Sequence, residues 1–226
     1  MLDAVLAKAI APGLWRWTAP HPGWRTGAEP DSPGDWDQMV GSVLFEAADA
    51  VALVDPLLPL QGREELLAWL DAQIEDRPVS ILTTIRWHRR DRDALARRYA
   101  GRSPRPWNAV PKGVEPHPLR GAGETLFWLP AAAALVAGDR LLGGPGGSLR
   151  VCPESWLRGV RVDRAGVAEL LRPLLELAIE RVVVSHGDPV LHDGRAALAR
   201  AIEQARGGRK GWERAPSKGA QMRRFC

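Results

Sequence analysis

Residues 182–198 read VVVSHGDPVLHDGRAAL, in which a strand, a polar loop and a helix follow one another. Three consecutive valines predict a buried strand, because β-branched residues are typical of strands. The alanine-rich segment from Gly194 onward predicts a helix, with Asp193 at the position that favours an N-cap residue. His186 therefore stands directly after a strand, where functional side chains are often found.

Three further strand ends carry polar side chains. Asp55 closes the apolar run 51–54, the segment Arg-Trp-His-Arg-Arg-Asp at 86–91 follows a run ending at Ile85, and Asp139 follows a third run. Each has a plain structural interpretation, since an Asp at a strand end commonly caps a turn and a lone His is usually structural. Together they favour convergence at one edge of a sheet, where His, Asp and His are suitable metal ligands.

Composition excludes several classes of protein. The 226 residues include 45% hydrophobic and 26% charged residues, which is ordinary for a globular domain and excludes disordered and fibrous chains. Two cysteines exclude a disulfide scaffold and a cysteine-rich zinc module, and five histidines limit any metal site. Of the basic residues, 27 are Arg and 4 are Lys, a bias typical of a GC-rich coding sequence.

No segment predicts targeting or a membrane span. Asp3 and Lys8 interrupt the apolar residues of the N-terminus, and the run 126–138 is too short and holds Pro130. We therefore expect a cytoplasmic protein with no membrane partner. No motif for specific nucleic-acid recognition is present.

The order of elements predicts one α/β domain. Strands and helices alternate twice as strand–strand–helix–strand–helix, which favours helices covering sheets. We expect a single domain over residues 1–206, with 1–40 as a divergent N-terminal segment and 207–226 as a basic, disordered tail. Residues 102–118 and the glycine-rich 141–153 are predicted to be loops.

Four segments together resemble the metallo-β-lactamase fold superfamily, and the glyoxalase II-like hydrolases in particular. They are Leu53-Val54-Asp55-Pro56, residues 84–91, Ala137-Gly138-Asp139 and Val184-Ser185-His186-Gly187. The resemblance covers roughly residues 40 to 200, and its most specific part is the segment that begins at Ser185. It implies an αββα sandwich with metal ions at one edge of the two sheets.

The metal-binding motif of that family is degenerate in this sequence. With His88 on the second His of the family's His-x-His-x-Asp-His loop, Arg86, Arg90 and Asp91 replace the first His, the Asp and the last His. A register shifted by one or two residues would instead lose His88. Counting back from Asp139, the family's glycine-turn His falls near Arg120, with His117 three residues away.

The resemblance thus implies a reduced ligand set of His88, Asp139 and His186, with Asp91 as an oxygen ligand or general base. Arg cannot replace His as a ligand, because its guanidinium stays protonated and has no lone pair to offer. Arg86, Arg90 and Arg120, with Trp87 lining the pocket, would instead bind an anion.

Two functions therefore remain open. One is a divergent hydrolase with one Zn²⁺ that acts on an ester, thioester or phosphoester, with His88 and Asp91 as its catalytic residues. The other is a non-catalytic relative without metal, whose Arg-lined cleft binds an anionic ligand or a protein partner. Apart from a protein partner, the ligand we expect is a small, anionic molecule. His21 is expected on a surface loop, and Cys152 is expected to be a buried, inert thiol.

Overall fold

The computed structural model describes residues 7–100 and 109–207 of the chain. In this part of the chain the strands are β1 Lys8–Ala11, β2 Leu14–Pro20, β3 Met39–Glu46, β4 Val51–Val54, β5 Val79–Leu82, β6 Glu115–Leu119, β7 Glu124–Leu129, β8 Ala134–Ala137, β9 Leu141–Gly144, β10 Ser148–Val151 and β11 Arg181–Val184. The helices are α1 Arg63–Ile74, α2 Arg92–Arg98, α3 Arg164–Leu171 and α4 Gly194–Arg206. None of the described helices is long and apolar enough to cross a membrane.

The strands form two main sheets and a separate hairpin. The first sheet has the order β1-β2-β3-β4-β5, and the second has the order β11-β8-β7-β6. Each contains one parallel pair, β4 with β5 and β8 with β11, while the other neighbours are antiparallel. Within the described residues, strands β9 and β10 pair with each other alone, as an antiparallel hairpin.

The alternation of side chains between the two faces of each strand explains how the sheets and helices are layered. Val43 and Phe45 of β3 belong to the same buried cluster as Phe127 of the second sheet, whereas Leu44 packs with the residues of α1. Neighbouring side chains of a strand point to opposite faces, so a strand that is apolar throughout is covered on both sides. The second sheet likewise places Leu126 in the cluster that contains α3 and α4. The predicted αββα sandwich is confirmed.

The N-termini of α3 and α4 satisfy the hydrogen bonds of their first backbone N–H groups in two different ways. Asp163 caps α3 through its side chain, which accepts a hydrogen bond from Gly166 N at 2.7 Å. Asp193 occupies the N-cap position of α4, as predicted, but makes no side-chain cap. The first N–H groups of α4, those of Gly194 and Arg195, instead donate to carbonyls of the chain segment before β11.

Two segments predicted as loops are strands. Residues 141–153 contain the hairpin β9–β10, and the end of 102–118 contains β6. Pro116 and Pro118 are tolerated because β6 is at the edge of its sheet, where a missing N–H costs no ladder hydrogen bond. The rest of that predicted loop up to residue 108, and the predicted tail beyond Gly207, lie outside the described residues.

Close backbone contact joins the two sheets beside β11. Gly41 of β3 donates its N–H to Ser185 O at 2.7 Å. A Cβ atom at Gly41 would lie 2.7 Å from both Val184 O and Arg16 Nε. The sheets can therefore approach at this point only because residue 41 has no side chain.

We expect Gly41→Ala to lower the free energy of unfolding by about 1–3 kcal/mol, because the added methyl group must displace backbone. Urea unfolding measures the change. Gly207→Ala is the matched control, since its Cβ would meet nothing closer than Glu203 O at 3.5 Å. Equal stability of the two variants would contradict the close contact at Gly41.

Candidate metal centre

The polar residues predicted at four strand ends meet at one edge of the sandwich. Asp55 follows β4, His88 follows β5, Asp139 follows β8 and His186 follows β11. Each pair of parallel strands presents its carboxyl ends on the same side, so the side chains after those ends become neighbours. An isolated bridge between Val40 and His186 brings the two edges together.

His88 is buried between two carboxylates. Its Nδ1 lies 2.9 Å from Asp55 Oδ2, and its Nε2 lies 3.0 Å from Asp139 Oδ1. Asp55 is held in turn by Thr84, whose N–H donates to Asp55 Oδ1 at 2.8 Å and whose hydroxyl donates to Oδ2. Asp55 has a positive φ of 48°, a strained conformation for a residue with a side chain. The surrounding contacts therefore hold the Asp55 carboxylate in place for His88.

The Asp139 carboxylate is the centre of the cluster. Its Oδ1 is 3.2 Å from His186 Nε2 as well as 3.0 Å from His88 Nε2, yet neither contact has hydrogen-bond geometry. Its Oδ2 accepts a hydrogen bond from Trp87 Nε1 at 2.6 Å. One oxygen and two imidazole nitrogens within 4.8 Å of one another are thus close without satisfying each other. A cation between them would do so.

The charges of the cluster are coupled. Burial alone would lower the pKa of His88, but Asp139 and Asp55 outweigh it and raise the pKa to about 9. The pKa of His186 is lowered, chiefly by burial. Burial opposes ionisation of Asp139, yet His88 and His186 hold the pKa of Asp139 well below its usual value. Asp139 is therefore an anion at neutral pH, and a metal ion would compete with the proton on His88.

Glu124 holds the loop that carries Asp139, although nothing in the sequence marks it beyond a carboxylate at the start of a strand. The buried carboxylate accepts hydrogen bonds from the N–H groups of Gly138 at 3.0 Å, Asp139 at 2.7 Å and Arg140 at 2.9 Å. Burial and the charge of Asp139 raise the pKa of Glu124 to about 7. The three donors lie in consecutive residues, so one side chain sets the turn after β8.

Asp91, predicted as an oxygen ligand or general base, is engaged by the segment before α1. Its Oδ2 accepts a hydrogen bond from Leu58 N at 2.7 Å, and Arg63 lies 3.8 Å from its Oδ1. Asp91 occupies the N-cap position of α2 and is not in the group of three residues that could hold a metal ion among the described residues. The helix starts here, which turns residue 91 towards the loop before α1 and away from His88.

Of the four residues predicted to form an anion pocket, Trp87 and Arg90 line the cavity above the cluster. Arg86 is exposed and its guanidinium lies 5.6 Å from the centre of the Trp87 ring, while Arg120 is exposed in the turn between β6 and β7. Neither lines the cavity above the cluster, and neither does His117. Arg90 does line it, but its Nη1 donates to Gly41 O and Asp55 O, each at 2.8 Å. Arg90 therefore binds backbone carbonyls.

The cluster forms the floor of a cavity of about 400 Å³. Its lining residues are His21, Pro33, Trp36, Val40, Trp87, His88, Arg90, Asp139, Ser155, Trp156, Arg158 and His186. His21 was expected on the surface but is half-buried, and burial followed by the charge of Arg90 lowers its pKa. The sequence offered no signal for Trp36, Trp156 or Arg158, because they reach the cavity from distant loops.

Comparisons with known proteins agree with this architecture. No family model matches the sequence, and no curated protein matches it. Solved structures do match: a metallo-β-lactamase from Erythrobacter litoralis is 17% identical, with a TM-score of 0.56 over 91% of this chain and 94% of that one. The metallo-β-lactamase FIM-1 from Pseudomonas aeruginosa, in a mono-zinc form, is 15% identical, with a TM-score of 0.56 over 89% and 96%.

A third solved structure gives the same result. The DIM-1 metallo-β-lactamase is 13% identical to this chain, with a TM-score of 0.58 over 90% of this chain and 98% of that one. The chain therefore has the metallo-β-lactamase fold, as the resemblance of its four strand ends implied. Likeness at this level of identity shows the fold alone, so the closer link to glyoxalase II-like hydrolases stays a prediction.

We expect Glu124→Gln to lower the free energy of unfolding by about 1–3 kcal/mol, because an amide NH₂ would face a backbone N–H in a buried site. Urea unfolding measures this change. Glu115→Gln is the control, since Glu115 is exposed in the neighbouring strand β6. If both variants lose the same small amount of unfolding free energy, Glu124 does not stabilise the turn after β8.

Proposed function

We propose that the protein is a metal-dependent hydrolase that binds one divalent ion, zinc in the first instance, through His88, Asp139 and His186. The observation that carries the proposal is the convergence of their three ligand atoms within 4.8 Å on the floor of the cavity. Catalytic zinc sites commonly have three protein ligands and keep a further position for water or substrate.

The surroundings of His88 support this assignment. Metal-bound histidines usually donate their second ring N–H to a carboxylate, which fixes the ring and strengthens the ligand. Asp55 Oδ2, 2.9 Å from His88 Nδ1, supplies such a carboxylate. With the proton held on Nδ1, the lone pair of Nε2 faces Asp139 and His186. His186 Nδ1, by contrast, is buried without a partner among the described residues.

The chemistry follows from the ligand set. When bound, a divalent ion supplies Lewis acidity and a water molecule whose pKa is lowered to about 7. Trp87 holds Asp139 through its indole N–H, and the aromatic walls of the cavity limit access of bulk water to the floor. Among the described residues, Asp139 is the one carboxylate in the lining of the cavity.

The substrate class proposed is an ester, thioester or phosphoester. The structural neighbours are named as β-lactamases, and one of them as a mono-zinc form, so a β-lactam belongs in the same substrate panel. The alternative, a non-catalytic protein with an Arg-lined cleft, was predicted on Arg86, Arg90 and Arg120, of which only Arg90 lines the cavity. The cytoplasmic location stays a prediction.

Metal content tests the proposal directly. We expect the purified, untagged protein to contain or to take up about one equivalent of zinc, measured by mass spectrometry, because three ligand atoms converge. His186→Ala should lose most of it. His192→Ala is the matched control, since the side chain of His192 is 80% exposed and lies outside the cluster.

Less than about a tenth of an equivalent of Zn, Mn or Fe, unchanged by reconstitution and by His186→Ala, would reject the metal site, because such sites bind tightly. Loaded protein is then tested on p-nitrophenyl acetate, a thioester, bis(p-nitrophenyl) phosphate and a chromogenic β-lactam. A protein that binds metal but hydrolyses none of them above the His186→Ala background would contradict the hydrolase assignment.

Asp55→Asn tests whether Asp55 orients His88, because it leaves all three proposed metal ligands in place. Asn keeps the size of Asp but cannot accept hydrogen bonds from His88 and Thr84 through both of its terminal atoms. We expect zinc affinity, measured by competition with a chelator, to fall about 10–100-fold. Asp76→Asn, in the exposed turn after α1, should leave it unchanged. Equal affinities would show that Asp55 does not orient His88.

A further inference from the structure

The indole rings of Trp36, Trp87 and Trp156 line the cavity. Trp36 and Trp156 both lie edge-to-face with His186, with ring centres 5.6 and 5.5 Å away. Trp156 donates its indole N–H to Ser32 O at 2.8 Å, and Trp87 donates its own to Asp139. Because these two N–H groups are already used, Trp87 and Trp156 offer carbon surface to a ligand.

The roof of the cavity is tied to one of its walls. The loop between β2 and β3 carries His21, Pro33 and Trp36 across the cavity. Besides the bond from Trp156, Ser155 Oγ donates to Asp31 O, and Arg150 Nη1 lies 2.9 Å from Asp31 Oδ1. The loop that carries Trp36 and the segment that carries Trp156 are therefore bonded to each other. This lowers the entropy lost when they become ordered around a ligand.

Arg158 offers an exposed positive charge to a ligand. Arg90 already donates to two backbone carbonyls, whereas no ion pair or hydrogen bond of the Arg158 side chain is found among the described residues. Arg158 is exposed and lines the same cavity, immediately after the short 3-10 segment Glu154–Leu157 that carries Trp156. An aromatic wall and a free guanidinium are thus next to each other.

We infer that the cavity binds a flat aromatic anion, with its ring against Trp36 and Trp156 and its negative group at Arg158. If the protein is the proposed hydrolase, its substrate is then an ester of an aromatic compound that carries a negative group. Only the identity of the reacting bond, an ester, rests on the proposed function; the binding of the aromatic anion does not. The volume of about 400 Å³ is within the range of about 300–1,000 Å³ typical of small-molecule pockets.

Binding can be tested without turnover, by calorimetry on the full chain as purified. The probes are 2-naphthoate, cyclohexanecarboxylate, which has the charge without the flat ring, and naphthalene-2-methanol, which has the ring without the charge. We expect 2-naphthoate to bind at least about tenfold more tightly than either of the other probes, because stacking and a charge-assisted bond act together.

Variants assign the two contributions. Arg158→Gln should weaken 2-naphthoate about tenfold and leave naphthalene-2-methanol unchanged, because only the charged probe uses the guanidinium. Arg161→Gln, exposed outside the cavity lining, is its control. Trp156→Leu should remove the preference for the flat probe, and Trp36→Leu tests the same wall if Trp156→Leu does not fold. Trp69→Leu, on the α1 side of the first sheet, is the control for loss of an indole.

Two results would overturn the inference: equal affinity for 2-naphthoate and cyclohexanecarboxylate, or equal behaviour of Arg158→Gln and Arg161→Gln. These outcomes are distinct from failure of the proposed function. Selective 2-naphthoate binding by a protein that takes up no metal would contradict the hydrolase and support the aromatic site. Metal binding without that selectivity would contradict the aromatic site alone.

Discussion

A buried imidazole joins the two halves of this protein. His88 faces Asp55, which follows a strand of the first sheet, and Asp139, which follows a strand of the second. Removing such groups from water is costly, and the cost is offset only while carboxylate and imidazole stay within hydrogen-bonding distance. The spacing of the two sheets, the floor of the cavity and the approach of His186 to Asp139 therefore all depend on these contacts.

The residues around His88 are held by close contacts with backbone atoms, which leave no room for additional side-chain atoms. Gly41 lets β3 touch the segment after β11, and Arg16 donates to Val184 O and Gly187 O across the same gap. Burial lowers the pKa of Arg16 to about 10, so its guanidinium stays charged at neutral pH. Glu124 performs the equivalent task for the turn at Asp139. The cluster is thus held by its surroundings from both sheets.

Chain order and strand ends predicted which residues come close together, but not the direction in which their neighbours' side chains point. His88, Asp139 and His186 each follow a strand of a parallel pair, so their convergence follows from topology. Asp91, only three residues from His88, points elsewhere because the start of α2 rotates it towards Leu58. Likewise Arg86 and Arg120 occupy expected positions in chain order, but their side chains lie outside the cavity.

By itself, the sequence determined a layered arrangement of helices over sheets, because strands and helices alternate along the chain, and the resemblance of four strand ends to the metallo-β-lactamase fold implied the αββα order of those layers. It also determined which histidines and which aspartate stand at strand ends. Only the tertiary structure decided the rest. Trp36, Trp156 and Arg158 reach the cavity from loops far apart in the chain, and no periodicity or spacing records such contacts. The tilt of each side chain, on which ligation and ligand choice depend, is set by packing between the sheets and their loops.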